Sequence, residues 1–320
     1  MNEKKPILLT GIKPTGDIHI GNYFGAIKPA VDLLKDGNYT SYVFIADYHA
    51  LNFIQDASEM RRLTRELAMT YIAAGLDPEK VVLFKQSDVS AHTELAWIFD
   101  TITTMPYLER AHAYKDAEAK NKEISVGTFN YPMLMAADIL LYDATIVPVG
   151  QDQKQHIEYA RDTAEKFNRV FKTDALTLPE PHIMEEVAVV PGTDGRKMSK
   201  SYGNTIPLFG TEEEIAKRVM GIVTDSSGGR PENVYAIHKL VKTEDELTSL
   251  YEENQGNYKI LKETLLQDLM TALNPIRAYY DVLKNSPEKV DEILHKGGKL
   301  ASRAAGDKMA QIRRIIGVTN

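Results

Sequence analysis

Two short words, His19-Ile20-Gly21-Asn22 and Lys197-Met198-Ser199-Lys200-Ser201, carry side chains able to bind and neutralise phosphate. The first follows an apolar strand and a Pro14-Thr15-Gly16 turn, and the second lies in a Gly-rich polar loop. Gly11 and Gly16 permit close backbone approach to an anion, and a helix predicted from near Ile18 offers free N–H groups and a positive dipole end. His19 can donate to phosphate oxygens, Gly21 leaves room for a purine against the helix, and Asn22 adds a neutral hydrogen-bonding group. Lys197 and Lys200, three apart in a flexible segment, can both turn toward one polyphosphate and stabilise charge on a leaving pyrophosphate. Each word has a plainer reading alone: a capped helix start with a chance histidine, and a solvated basic loop. Together they point to ATP.

Elements that would position these words alternate in the first half. Strand-like runs Ile7 to Thr10, Tyr42 to Ala46, Val81 to Phe84 and Thr145 to Val149 are each followed by a helical segment: to about Leu34, Ser58 to Ala74, one after Phe84, and Asp152 to Phe167. Short continuous apolar runs suit strands buried on both faces, and Met60, Leu63, Leu67 and Tyr71 recur at helical spacing. The expectation is an α/β fold with a Rossmann-like, doubly wound parallel sheet, Ser58 as a helix cap and Val187 to Val190 as a closing strand. After Pro207 only helical patterns remain. Leu261, Leu265, Leu269 and Leu273 form one ladder, Asn274-Pro275 should kink or interrupt it, and Ser286-Pro287 should open a final helix. The stretch from Thr224 to Glu232 reads as a surface loop or hinge. This divides the chain into 1–206, 207–290 and 291–320.

Composition narrows the chemistry. With 43% hydrophobic and 26% charged residues in 320, the chain suits a globular enzyme of about two domains. Absence of cysteine excludes disulfides, iron–sulfur ligation and a thiol nucleophile, and no His pair has metal-ligand spacing, so no protein-held metal is expected. A net charge of −7 argues against indiscriminate nucleic-acid binding. No run approaches a membrane span, and the first residues lack an apolar leader, so a cytoplasmic protein without membrane contact is expected.

The two words resemble the HIGH and KMSKS signatures of class I aminoacyl-tRNA synthetases, with Asn22 in place of the final histidine. Three longer segments, Gly11 to Tyr23, Leu134 to Tyr142 and Val147 to His156, resemble the tryptophanyl-tRNA synthetase family, and the likeness extends over nearly the whole chain. It implies a Rossmann-like catalytic domain over 1–206 and a helical anticodon-binding domain over 207–290. Residues 291–320 would pack back on the catalytic domain. Implied partners are L-tryptophan, ATP with Mg²⁺, tRNA(Trp) and a second copy in a homodimer.

Asp138 sits in an otherwise apolar stretch, where an unsatisfied carboxylate is costly. Alone it is either a structural carboxylate held by backbone or an Arg, or an acceptor facing a ligand; the resemblance sets it against the indole nitrogen. An unpaired acceptor would reject ligands lacking the hydrogen bond without an editing domain. By the same resemblance Leu9 and Gly11 belong to the substrate-binding site, Met135 packs on the indole ring, Tyr131 and Gln153 bind the α-ammonium, and His49 lines the pocket. Lys13, Thr15, Gly16, Gly150, Asp152, Met198, Ser199 and Ser201 join His19, Gly21, Asn22, Lys197 and Lys200 around ATP; Asp152 accepts from ribose or serves as an ordinary cap. Met135 also reads as core filler.

Many relatives have Phe, Gln and Glu where this chain has Leu9, Lys13 and Gln151. Lys13 adds a positive charge beside both substrates. Some relatives carry an ATP-contacting lysine aligned with Ala117, leaving Lys115, Lys120 and Lys122 as candidates. Competing readings are a tyrosyl-tRNA synthetase, a small-molecule nucleotidylyltransferase and a non-catalytic RNA-binding or regulatory paralogue. From Pro287 to Asn320 seven Lys/Arg oppose four Asp/Glu. Lys296, Lys299, Arg303, Arg313 and Arg314 are therefore candidates for phosphate, or the solvated face of an amphipathic helix.

Overall fold

The computed structural model describes residues 5–14, 16–35, 37–119, 123–149, 154–183, 189–224 and 229–319. Five short strands form one parallel sheet: β1 (Ile7–Ile12), β2 (Thr40–Ile45), β3 (Val81–Lys85), β4 (Ile146–Val149) and β5 (Glu180–Ile183), in the order β3-β2-β1-β4-β5. Register runs Ile7 opposite Thr40, Ser41 opposite Val81, Leu8 opposite Ile146 and Ile146 opposite Glu180. The order reverses between β1 and β4, so ligands are expected outside the carboxyl ends there.

Helices fill the crossovers. They are α1 (Ile20–Asn22) and α2 (Lys28–Lys35), joined by a π-helical turn Tyr23–Ile27, then α3 (Asp47–Ala50), α4 (Ala57–Ala73), α5 (Ala91–Asp100), α6 (Met105–Leu108), α7 (His112–Ala119), α8 (Val126–Leu140) and α9 (Lys154–Val170). The helical part comprises α10 (Glu212–Met220), α11 (Glu232–His238), α12 (Glu244–Glu253), α13 (Tyr258–Lys284) and α14 (Pro287–Ile315).

Four local expectations need correction. The sheet closes on β5 rather than on Val187 to Val190. Pro181 obscured that strand, yet proline is tolerated on an edge. Val187 and Ala188 lie outside the described residues, and the Val190 carbonyl instead accepts from the Met198 N–H at 2.9 Å. Asp56 rather than Ser58 caps α4, accepting the Glu59 N–H at 2.7 Å while Ser58 donates its hydroxyl to the same carboxylate. The first helix starts at Ile20, with His19 as its cap, not near Ile18. Pro275 does not interrupt α13, whose Leu261, Leu265, Leu269, Leu273 and Leu283 are all buried. Burial of that ladder outweighs the hydrogen bond proline removes.

Two apolar clusters hold the molecule together. One joins Leu8, Ile20 and Val31 to Leu265, Leu273 and Leu294, and so runs from the sheet into the helical part. The other packs Leu9, Phe44, Phe84 and Met133 with Ala301, Ala305, Met309 and Ile312 of α14. At the crossing of α14 and β3 a side chain on Gly297 would lie 1.8 Å from the Leu83 carbonyl oxygen, so only glycine allows this approach. Among the described residues no helix is long and apolar enough to cross a membrane.

Candidate active site

The carboxyl ends of β1, β2 and β3 lead respectively into the His19 turn, into His49 on α3 and into Gln86, which gathers polar side chains on one edge of an apolar sheet. His19 and Asn22 cap α1 reciprocally. The Asn22 N–H donates to His19 Nδ1 and the His19 N–H donates to Asn22 Oδ1, each at 3.2 Å. Nδ1 is therefore an acceptor, and the proton of the neutral ring sits on Nε2, where it can be donated to a ligand. Burial, reinforced by the Lys200 ammonium, lowers the His19 pKa to about 4, so the ring is neutral at pH 7. Asparagine thus does local structural work at the last position of the first word.

The second word folds against the first. Ile20 N–H donates to the Ile206 carbonyl and Leu208 N–H to the Ile18 carbonyl, each at 3.0 Å. Met198 is buried, and its Cβ lies 3.1 Å from where a Cβ on Gly21 would stand. A side chain on Gly21 would therefore crowd both Met198 and the His19 ring. Lys200 reaches the same corner: its Nζ is 2.8 Å from the ideal Cβ position of Gly16, which has φ +71°. Lys197 is exposed and does not line the cavity that His19 and Lys200 share.

Asn204, which sequence reasoning missed, organises this loop. It is buried; its Oδ1 accepts the Ser199 N–H at 2.8 Å, and its Nδ2 donates to Asp194 Oδ1 at 2.6 Å and the Lys197 carbonyl at 3.2 Å. Ser199 and Ser201 hydroxyls pair at 2.9 Å. The Val223 N–H donates to the Thr193 carbonyl at 2.7 Å and so ties the loop to the helical part.

A second cluster surrounds Asp138 on α8. His49 Nε2 donates to Oδ2 at 2.8 Å, while Gln86 Nε2 and His92 Nδ1 donate to Oδ1 at 2.7 and 2.6 Å. His92 Nε2 and the Tyr142 hydroxyl share a hydrogen bond at 2.9 Å. Burial alone would raise the Asp138 carboxyl, but the two histidines outweigh it and hold it below the usual carboxylate range. Asp138 is therefore satisfied by histidines and an amide, not by backbone or an Arg. Gln86 and His92 were not singled out from the sequence; the available signal was a glutamine directly after an apolar strand, at the ligand edge of a parallel sheet.

Tyr131, two turns before Asp138, has its ring 4.6 Å from that of His49 and 5.6 Å from that of His156. Burial and the nearby Asp138 charge push its hydroxyl up to about 12. Lys13 Nζ lies 5.4 Å from the centre of the Tyr131 ring and 5.5 Å from that of Phe53, with its pKa lowered by burial. Lys13 is thus grouped with the Asp138 end. Leu9 is buried in the core under the cluster, Met135 is half-buried on α8, and a side chain on Gly11 would collide with the Phe44 ring. Thr15, Lys120, Lys122, Gly150, Gln151, Asp152 and Gln153 lie outside the described residues.

A cavity of about 900 Å³ opens between the sheet and the helical part, reaching His19 and Lys200 and extending to Lys217, Arg218 and Lys284. Asp138, His49 and Tyr131 do not line it. Of the bases expected on α14, Lys296 pairs with Glu79 at 2.7 Å and Arg313 bonds to Glu94 at 2.7 Å, while Lys299, Arg303 and Arg314 are exposed. Among the described residues no three His, Asp or Glu side chains are disposed to hold a metal ion.

The family described as tRNA synthetases class I (W and Y) matches residues 1–293. A tryptophan–tRNA ligase of Fusobacterium nucleatum subsp. nucleatum is 42% identical over 318 residues, covering 97% of each chain. One from Campylobacter jejuni is 44% identical over 324 residues, covering 97% of this chain and 99% of the other. The crystal structure of the Campylobacter jejuni tryptophanyl-tRNA synthetase complexed with ADP and tryptophan superposes with a TM-score of 0.89 at 44% identity, over 97% of this chain and 99% of that one.

Proposed function

This chain belongs to the class I tRNA synthetases of the W and Y group, and from that membership and its site we propose a tryptophan–tRNA ligase. It is an aminoacyl-tRNA synthetase. It activates L-tryptophan with Mg-ATP to tryptophanyl-adenylate and pyrophosphate, then transfers the tryptophanyl group to a terminal ribose hydroxyl of tRNA(Trp). The observation that carries the reading is the pairing of a neutral His19 beside Lys200 with a buried polar cluster on Asp138, both at the carboxyl edge of one sheet.

A tryptophan carboxylate, with a pKa of roughly 3.5, is already ionised at neutral pH and needs no general base to attack the α-phosphorus. The chain's work is in-line positioning and charge stabilisation. His19 donates Nε2–H to a phosphate oxygen, Asn22 holds that ring, and Lys200 with Lys197 takes up charge on the leaving pyrophosphate as the loop moves. Thr15, Gly16, Gly21, Gly150, Met198, Ser199 and Ser201 contribute loop and backbone contacts to ATP, and Asp152 accepts from its ribose. Leu9, Gly11 and Met135 flank the indole, the Asp138 cluster supplies the acceptor for its N–H, and Tyr131 and Gln153 hold the α-ammonium. Lys13, a cation beside Tyr131, takes up the carboxylate or the α-phosphate. Mg²⁺ enters with ATP as part of the substrate.

Residues 1–206 would then be the catalytic domain, 207–290 the anticodon-binding domain and 291–320 a helix returning to the catalytic domain, with Lys299, Arg303 and Arg314 free to meet tRNA phosphate. The homodimer is supported by apolar side chains exposed on the catalytic part, among them Trp97, Met105 and Val126. Since the reaction feeds translation, we place it in the cytoplasm. A tyrosine enzyme is disfavoured by the sequence of β1, Ile7-Leu8-Leu9-Thr10, which carries no tyrosine to present a hydroxyl to a phenol. ATP–pyrophosphate exchange with tryptophan, tyrosine and phenylalanine in separate reactions tests the reading. Exchange with tryptophan alone is expected; exchange with tyrosine would reverse the assignment, and silence with all three would leave a non-catalytic paralogue.

A further inference from the structure

A short strap, Ile206 to Gly210, runs between the first word and the helical part. On one side it is bonded to the turn that carries His19. Ile20 N–H donates to the Ile206 carbonyl and Leu208 N–H to the Ile18 carbonyl, so that His19 and Pro207 lie opposite each other. On the other side it is held by α13. Arg277 Nη1 donates to the Leu208 carbonyl at 2.9 Å and Nη2 to the Gly210 carbonyl at 2.7 Å. One turn further along the helix, the Tyr280 ring stacks on Phe209, with centroids 3.7 Å apart and planes inclined by 17°. Leu208 is therefore gripped from both sides, its N–H by the residue before His19 and its carbonyl by Arg277. Arg218 of α10 adds a hold on the loop that precedes the strap, donating to the Gly203 carbonyl at 2.9 Å.

We infer that Arg277 is a positioning residue for adenylate formation: by forking onto two carbonyls of the strap, it fixes His19 against the loop that carries Lys200. This deepens the ligase reading above and rests on it. Arg277 does not line the cavity that His19 and Lys200 share, whereas Pro207, Phe209 and Gly210 of the strap do, so its action passes through the strap. The requirement is for the fork. A guanidinium presents several N–H donors in one rigid plane and can hold two carbonyls at once, while a lysine ammonium is a point charge on a flexible stem. Little slack is tolerable at His19, because a misplacement of about 1 Å at a reacting centre can cost on the order of 10²-fold in rate. The Asp138 cluster hangs on other elements, with His49 on α3, His92 on α5 and Gln86 after β3. Loosening the strap therefore disturbs the phosphate end and spares the tryptophan end.

Arg277→Ala and Arg277→Lys, each compared with the parent per folded molecule, test this. In Arg277→Ala the kcat of tryptophan-dependent ATP–pyrophosphate exchange should fall on the order of 10- to 100-fold while the tryptophan KM stays unchanged. The His19 ring, followed by magnetic resonance, should titrate above its parent value of about 4, moving toward the ordinary 6.5 as the released strap lets water reach it. Arg277→Lys, which keeps the charge and loses the fork, should remain well below the parent in kcat. Three results would each overturn the inference: a folded Arg277→Ala with the parent kcat, a loss of kcat matched by an equal loss of tryptophan affinity, or a ring titration still at about 4. The first is what a tie serving stability alone would give. Full activity of Arg277→Lys would overturn it as well, and where Arg277→Ala does not fold the lysine variant carries the same readouts. A parent without tryptophan-dependent exchange removes the ligase reading, and the ring titration then still decides whether Arg277 holds His19.

Discussion

At His19, burial and the Lys200 ammonium act in the same direction, and the ring stays a neutral Nε2–H donor across the physiological range. Lys200→Ala should raise the His19 pKa, read from the pH titration of its ring resonances. A value still at about 4 would mean that the loop lysine does not sense the first word. The same substitution should slow adenylate formation on the order of 10² to 10³-fold while leaving tryptophan affinity nearly unchanged, since it removes charge stabilisation and not a tryptophan contact. Linkage gives a further sign. An unfolded histidine titrates near 6.5 and the folded one near 4, so the unfolded chain binds more protons between those values. His19's contribution to stability is complete above about pH 6.5 and is lost as pH falls toward 4. Urea midpoints of the parent should drop more steeply over that window than those of His19→Asn. Asp138 was legible in the sequence because a lone acid in an apolar run must find partners. Its actual partners were not, because Gln86 and His92 arrive from other elements, 52 and 46 positions away.

Contact between the α1 start and the loop around Asn204 turns two remote words into one device. Gly21 is the point of contact: an added Cβ would come within 2.9 Å of His19 Nδ1 and 3.1 Å of Met198 Cβ. Gly21→Ala should therefore cost about 1 kcal/mol of stability or more and lower exchange kcat about tenfold, with the tryptophan KM little changed. Comparable losses in kcat and tryptophan affinity would mean that Gly21 serves the amino-acid end instead. Glycine here was readable as a need for space, but not which side chain presses on it, because Met198 comes from a loop about 180 residues later. Strand and helix types in the first half followed from burial and periodicity. Misplaced ends at Ser58 and Pro275 arose where a neighbouring carboxylate or a buried leucine ladder outweighed local preference.

For the whole molecule, α14 decides whether sheet and helices are one body. Val290 and Leu294 join the apolar cluster that reaches the helical part, and Ala301, Ala305, Met309 and Ile312 join the one beneath the active-site edge. Gly297→Ala should destabilise the protein by about 1–3 kcal/mol, because its Cβ would meet the backbone of Leu83, which cannot step aside as a side chain can. Equilibrium urea unfolding measures this, and an unchanged midpoint would mean that α14 sits farther from β3 than its packing implies. Such an approach left only a trace in the sequence, the pair Gly297-Gly298 inside an otherwise helical stretch. Order of manufacture adds a consequence. The strands β1 to β3 are complete by Lys85, but the helix that lies on β3 begins only at Pro287, about 200 residues later. At a synthesis rate of 5–20 residues per second, β3 waits roughly 10–40 s for its cover. A polypeptide released before that helix emerges carries an uncovered, apolar sheet margin, and is thereby marked for the cell's proteases and chaperones as unfinished.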